Sequence, residues 1–520
     1  MAYPFGGNRR GSLSLGKRRT WTRVGRPLAI PERLLDMIPG GLAWAGLAIV
    51  VAGAVAAPLA LVSSAALLSL YVAVRFALAG AANLWGLIMI RRWSQVDWSA
   101  EYARRAGSDS LPIESVRHLV VIPNYREELV TLRRTLRRLA AQSRAAESIS
   151  VALAMEASEP GAAEKGALLE AEFAASFERF FVVCHPAGIS GEMRCKSANQ
   201  AWAARWARRR LVDELGVNIN HVLVTTMDSD TIWHPDTFAA LTALFATDAR
   251  RYATFWQAPI RYHGNVWDTN PLLRILHAYS STWELAYLAA PWWRALPMSS
   301  YSVSLRLLDS AGYWDPNVIA DEWHMYIKTF FRRREDVHLQ PVFLPFHAHA
   351  TTGRSLVEAV RERYLQTLRH AWGAKEIGYT IAQIAAYPEV SLRGGLALLL
   401  RVAHDNILGG LGWIMMLLGA QLPMLLHPDL VRERAASGPV VLLQGSVMAM
   451  LLLTLLFWLL DLHNRPARPA PWTWSERLAE LASVPLLAIM TFVCVALPVL
   501  HAQTQLLLGI PLEFRVARKE

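Results

Sequence analysis

The stretch His221–Thr237, "HVLVTTMDSDTIWHPDT", decides how the rest of the chain is read. A run of apolar and β-branched residues ends in two carboxylates one residue apart, Asp228 and Asp230. Residues i and i+2 of a strand point to the same face, so at a strand end both could converge on one ion. Two readings are open at this point: a solvated acidic turn, or carboxylates that hold a metal for chemistry on a phosphate. A calcium loop of the EF-hand kind is excluded, because no glycine and distal glutamate follow at the required spacing.

The same pattern occurs three times earlier. "RHLVVIPNY" is followed by "LVTLRRTLRRLAAQ", "ISVALAME" by an Ala/Glu-rich stretch, and "FERFFVVCHP" by "KSANQAWAARWARRRL"; the quoted stretch itself runs into "DTFAALTALFA". Strand-like runs alternating with helix-like ones predict an α/β domain around a mostly parallel sheet. In open α/β sheets ligands collect beyond the carboxyl ends of the strands. Pro123, Asn124, Tyr125 and Glu127 follow the first strand, Glu156 ends the second, Lys196 and Asn199 follow the third, and the Asp pair follows the fourth. Singly each has an ordinary explanation as a turn or solvated residue. Four successive strand ends delivering polar groups to one rim point to a ligand.

Around this domain the composition changes. The 520-residue chain is 53% hydrophobic, with a formal net charge of +11 and a mean hydropathy of +0.23. Its three cysteines are too few and too scattered for a disulfide framework or a Cys-based zinc site. Basic charge could suit nucleic acid, anionic lipid or phosphorylated substrates. No zinc-finger, ribonucleoprotein or basic-zipper pattern occurs, so no nucleic-acid partner is expected. Residues 1–36 form a basic tail, and 37–92 hold two apolar runs, Pro39–Val62 and Ala65–Ile90. Each is near the ~20 residues a helix needs to cross a bilayer. Arg91 and Arg92 on one flank and the basic tail on the other predict a hairpin with both ends cytoplasmic. The domain then occupies 93–390, and 391–404 reads as a helix lying in the membrane interface. About three further spans fall within 405–510 (Asp405–Leu426, Pro439–Leu462 and Ser483–Leu500), before a basic tail at 511–520. Three spans would put that tail opposite the domain, against its positive charge.

The ordered series "VVIPNYREE", "AME", "KSANQAW", "TTMDSD", "ADEWHMYIK", "QTLRHAW" resembles inverting glycosyltransferases of family 2 over roughly residues 115–375. It is most similar to the membrane-embedded branch that includes cellulose, chitin and hyaluronan synthases. The resemblance implies an α/β GT-A-type, Rossmann-like cytoplasmic domain with flanking transmembrane helices, in a bacterial-type inner or plasma membrane. It implies transfer of a sugar from a nucleotide-sugar donor to a growing polysaccharide or a lipid-linked acceptor. UDP-sugars are favoured and GDP-sugars left open. Mg2+ or Mn2+ would be held by Asp230, with Asp228 nearer the ribose or behind the ion. Pro123, Tyr125, Glu127, Glu156, Lys196 and Asp228 would surround the donor nucleotide. Asp321 and Glu322 stand where the family carries Glu-Asp; Glu322 falls at the base position, and both are candidates for the general base. Gln366 and Arg369 match the family's Gln-x-x-Arg-Trp signature, but His370 replaces its tryptophan, and Trp372, two residues later, is the candidate platform for the acceptor. Two other functions remain in view: a single-addition lipid glycosyltransferase, and a membrane transport or sensor protein that binds nucleotide without turnover.

Overall fold

The computed structural model describes residues 30–433 and 437–512. Most of the basic N-terminal tail and nearly all of the C-terminal one lie outside them. Among these residues nine strands form: β1 Arg117–Pro123, β2 Ile149–Glu156, β3 Arg179–His185, β4 Val222–Thr226, β5 Thr254–Gln257, β6 Ile260–Arg261, β7 Tyr301–Ser304, β8 His338–Pro341 and β9 Phe346–His347. Seven of them make one sheet in the order β3-β2-β1-β4-β7-β5-β8, and β6 pairs with β9. β1 to β4 are mutually parallel, whereas β7 runs antiparallel between β4 and β5.

β1 and β2 read as near-continuous apolar runs because both faces of this part of the sheet are covered. Alternate residues go to opposite layers. Leu119 and Val121 pack with Ala201 and Ala204 of the Lys196–Arg208 helix. Val120 and Ile122 pack with Leu132 and Leu136 of the Leu129–Ala140 helix. The chain winds outward from β1 to β3 and returns to place β4 on the other side of β1. That reversal opens a crevice between the carboxyl ends of β1 and β4, the place where α/β sheets bind ligands.

Among the described residues five helices are long and apolar enough to cross a membrane: Glu32–Ala56, Pro58–Trp93, Leu392–Leu426, Gly438–Asn464 and Trp474–Leu508. The first two meet at Ala57, with Pro58 at the opening position of the second, where a missing N–H costs nothing. The segment expected as a separate interface helix, 391–404, continues unbroken into the following apolar stretch through a π-helical turn at Leu408–Gly412.

Trp474–Leu508 packs on the α/β domain along part of its length and on the first apolar helix at its far end. At one end Glu480 pairs with Arg274 at 2.6 Å and with Arg465 at 2.5 Å. In the middle Leu487, Met490 and Cys494 pack on Leu273, Leu276 and Ala359. Val499 and Ala502 pack on Leu368 and Ala371. At the far end the carbonyls of Leu506 and Leu507 accept from Arg33, one turn from the Asp36–Lys375 ion pair that ties the first helix to the domain. The crossing with the first helix is backbone to backbone: a Cβ on Gly40 would stand 2.2 Å from the Gln503 carbonyl oxygen. Only glycine permits that approach.

Arg75, the one charge inside the second helix, faces protein. It donates to the Tyr287 hydroxyl at 3.0 Å, lies 4.0 Å from Asp405 and sits over the rings of Trp283 and Trp293.

Candidate active site

A cavity of about 370 Å³ lies at the β1/β4 crevice. Pro123, Asn124, Tyr125, Glu127, Glu156, Lys196, Asn199, Asp228, Asp230, Asp321, Glu322, Gln366 and Arg369 all line it. Residues spread across some 250 positions of sequence are thus brought to one wall or another of a single space.

After β1 the chain turns sharply. Arg126 has φ 62°, and its N–H donates to Glu159 at 2.7 Å, which fixes Tyr125 and Glu127 at the rim. Asn199 donates to the Ala154 carbonyl at 2.9 Å, so the helix start that carries Lys196 is pinned to the end of β2. Glu156 ends β2 and is buried, with both carboxylate oxygens 3.2 Å from His185 Nδ1; His185 Nε2 lies 2.9 Å from Glu192. Burial would push His185 down, but its bonds to Glu156 and Glu192 outweigh that and raise it.

Lys196 joins the two halves of the site. Its Nζ lies 2.8 Å from Asp228 Oδ1 and 3.5 Å from Glu322 Oε1, and it donates to the Ser299 carbonyl at 3.1 Å. Burial alone would lower this ammonium; Asp228, Glu322 and Asp321 reverse the sign and hold it above its ordinary value. Asp228 is also held by the Ser299 hydroxyl at 2.8 Å. Asp230 is buried, and its Oδ2 accepts the His349 backbone N–H at 3.1 Å.

Asp321 and Glu322 open the Asp321–Arg332 helix. Asp321 is only 3% exposed and accepts from Gln200, whose own carbonyl accepts from Thr226 on β4. The Glu322 side chain is 22% exposed. Burial, reinforced by Asp321 and partly opposed by Lys196, pushes Glu322 up to about 7. Burial also raises Asp321, against Lys196 and the Gln200 bond. The two carboxyls therefore influence each other's protonation and act as a pair.

On the Leu356–Ala371 helix and the turn after it, Gln366, Arg369, His370 and Gly373 face the cavity. Those positions are i, i+3, i+4 and i+7, one face of a helix. Trp372 is out of phase with them and is not among the lining residues; it packs instead beside Leu368, Ala371, Val499 and Ala502. The expected acceptor platform is therefore not in the site, and Trp323 is the tryptophan that lines it. Ser299, His349, Glu284 and Asn406 also contribute to the wall and were missed in the sequence. None follows one of the strands read as such, and only contacts between distant segments reveal them.

Seven carboxyl side chains line the space (Glu127, Glu156, Asp228, Asp230, Glu284, Asp321, Glu322) against three cationic ones, Arg194, Lys196 and Arg369. A polyanion alone would be repelled by such walls, whereas a polyanion carrying a divalent cation would not. Among the described residues no cluster of three or more His, Cys, Asp or Glu is gathered as a self-contained metal cage. Asp228 and Asp230 are hard oxygen donors, and magnesium-like ions are commonly held by one or two carboxylates plus substrate phosphates. The donor set fits such an ion.

No family model matches the chain, and no curated protein matches it. Among solved structures it is similar to the mannosyltransferase PcManGT from Pyrobaculum calidifontis in complex with GDP-Man and Mn2+, at 15% identity and a TM-score of 0.41, covering 81% of this chain and 98% of that one. It is also similar to S. aureus TarS 1-349 in complex with UDP-GlcNAc, at 9% identity and a TM-score of 0.30, covering 61% and 92%. Both scores are too low to carry an argument, and the function has to be read from the site's own residues.

Proposed function

We propose that this chain is a membrane-embedded, inverting glycosyltransferase of the GT-A type, dependent on Mg2+ or Mn2+, that moves a sugar from a nucleotide-sugar onto a glycan or lipid-linked acceptor. The observation that carries the reading is Lys196, which bridges Asp228 on the donor side and Glu322 on the base side of one cavity. A protein that only binds or senses a nucleotide does not need a largely buried carboxyl raised to about 7 beside a second buried carboxyl, Asp321.

In this reading Tyr125 and Glu156 receive the nucleobase, with UDP favoured as the nucleotide, and Pro123 and Glu127 border it. Asp228 and Asp230 hold the divalent ion, which when bound neutralises charge building on the diphosphate leaving group. Arg369 faces the same region; burial lowers it, and Asp228, Glu322, Asp321 and Glu127 oppose that lowering. Glu322 takes the acceptor hydroxyl's proton as that oxygen attacks the anomeric carbon. Trp372 lying outside the cavity favours the single-addition form of the reaction over a processive one.

The test is nucleoside diphosphate release by detergent-purified protein across UDP- and GDP-sugars, with manganese and with chelator. One donor should turn over, and chelation should abolish that turnover. Silence with every donor would sink the transferase reading.

The α/β domain is placed in the cytoplasm in this reading, with four of the apolar helices crossing the membrane and Trp474–Leu508 lying along the domain. Glu480 near its start meets Arg274 of the domain, and the Leu506 carbonyl near its end meets Arg33 at the opening of the first apolar helix, which supports that placement. The basic C-terminal tail is then cytoplasmic, in accord with its charge. Alkaline phosphatase fused after Glu520 should be inactive in cells and a fluorescent protein fused there should be bright; an active phosphatase would put the tail outside.

A further inference from the structure

The Pro271–Ala289 helix belongs to the α/β domain but packs against the apolar Pro58–Trp93 helix. Leu285 is the side chain a Cβ on Gly86 would meet, and the Thr282 carbonyl accepts from Asn83 at 3.1 Å. Between those two contacts sits Glu284, which turns the other way and lines the cavity. Its Oε1 accepts the Tyr262 hydroxyl at 3.4 Å. Its Oε2 is buried and has no hydrogen-bond partner among the described residues. Arg363 of the Leu356–Ala371 helix makes no hydrogen bond to Glu284; its two terminal nitrogens donate to Gln366 at 2.8 Å and to Ser280 at 3.4 Å.

A buried carboxyl with an open oxygen and no ion pair costs stability unless a ligand answers it. Burial pushes Glu284 up to about 8, so at neutral pH it is a carboxylic acid with one O–H to donate and one oxygen to accept. That donor–acceptor pair suits a sugar hydroxyl, which is also one donor and one acceptor. It suits a phosphate poorly, since ionisation of the acid would set two anions together. The position matters as well. The donor-side carboxylates stand at the strand ends, whereas Glu284 stands where the cavity meets the membrane-type helices, with Asn406 of Leu392–Leu426 on the same lining.

We propose that Glu284 binds a hydroxyl of the saccharide acceptor and so fixes which acceptor is used. The inference rests on the transferase reading above and adds to it that the moiety beside Glu284 is a sugar ring. The test uses native membranes holding the full chain and the radiolabelled donor that the release experiment identifies. The readout is the fraction of released nucleoside diphosphate matched by sugar transferred to endogenous acceptor, the remainder being hydrolysis by water. Glu284→Ala should lower that fraction at least ten-fold, and Glu284→Gln, which keeps a neutral donor and acceptor, should hold it within three-fold of wild type. Glu284→Met carries the test if the alanine variant fails to accumulate. A fraction unchanged in Glu284→Ala or Glu284→Met overturns this inference alone. A wild type that releases no diphosphate from any donor overturns the transferase reading, and this inference with it.

Discussion

Replacing Glu322 with glutamine should cut sugar transfer by about 10³-fold, within the 10²–10⁴ range of a lost general base, and leave the affinity for nucleoside diphosphate nearly unchanged. The amide keeps the size and polarity of the side chain and removes only its capacity to take a proton. Transfer by the unaltered protein should rise with pH through about 7, because burial and Asp321 hold the Glu322 carboxyl protonated below that point and a base must be ionised to act. The residual activity of Glu322→Gln should lack that inflection. Asp321→Asn is the informative partner. Asp321 is buried against Gln200, so its loss should lower the Glu322 inflection toward acid by removing the neighbouring negative charge. Initial rates from pH 5.5 to 9 on the three proteins decide the matter. If Asp321→Asn loses transfer while Glu322→Gln keeps more than a tenth of it, the base is Asp321.

Asp230→Asn should be the other large loss, about 10²–10³-fold in turnover, the size seen when a single electrostatic support of developing charge is removed. Asparagine can still accept the His349 N–H that Asp230 Oδ2 accepts now, so the loop stays supported and the change reads charge alone. The check is nucleoside diphosphate affinity measured with and without manganese. Wild type should gain affinity from the ion, and Asp230→Asn should gain none. Asp228→Asn should fall between the two, since Asp228 already shares its charge with Lys196 and the Ser299 hydroxyl. Equal stimulation by manganese in Asp230→Asn and wild type would remove Asp230 from the metal site.

The rim of the parallel sheet was legible because its signal is local. β1 and β2 are long apolar runs, and the polar residues that matter follow them directly in the chain. β7 and β8 have four residues each and β6 and β9 two, too short for a period-2 pattern to stand out from noise. The antiparallel strand beside β4 was therefore invisible, and with it Ser299, which holds Asp228. Glu284 was hidden for a different reason: it sits mid-helix in an apolar stretch, and only the fold turns it toward the cavity. Counting helical phase from Gln366 and Arg369 selects His370 and Gly373 for the cavity face and leaves Trp372 on another. The number of apolar helices, two before the domain and three after it, matches the spans read from hydropathy, which says nothing of how each one lies. Trp474–Leu508 has the composition of a membrane crossing, and it also meets Arg274 of the domain near one end and Arg33 of the first apolar helix near the other.

That helix has a mechanical consequence. Val499 and Ala502 bear on Leu368 and Ala371, which stand on the helix that presents Gln366 and Arg369 to the cavity. In the topology proposed above, where this 35-residue helix lies along the domain instead of crossing the bilayer, it would feel the lateral pressure of the lipids around it. Thinning or crowding those lipids would then reach the floor of the cavity through two small contacts, and the choice of detergent or bilayer would become a variable of catalysis, as real as pH or manganese.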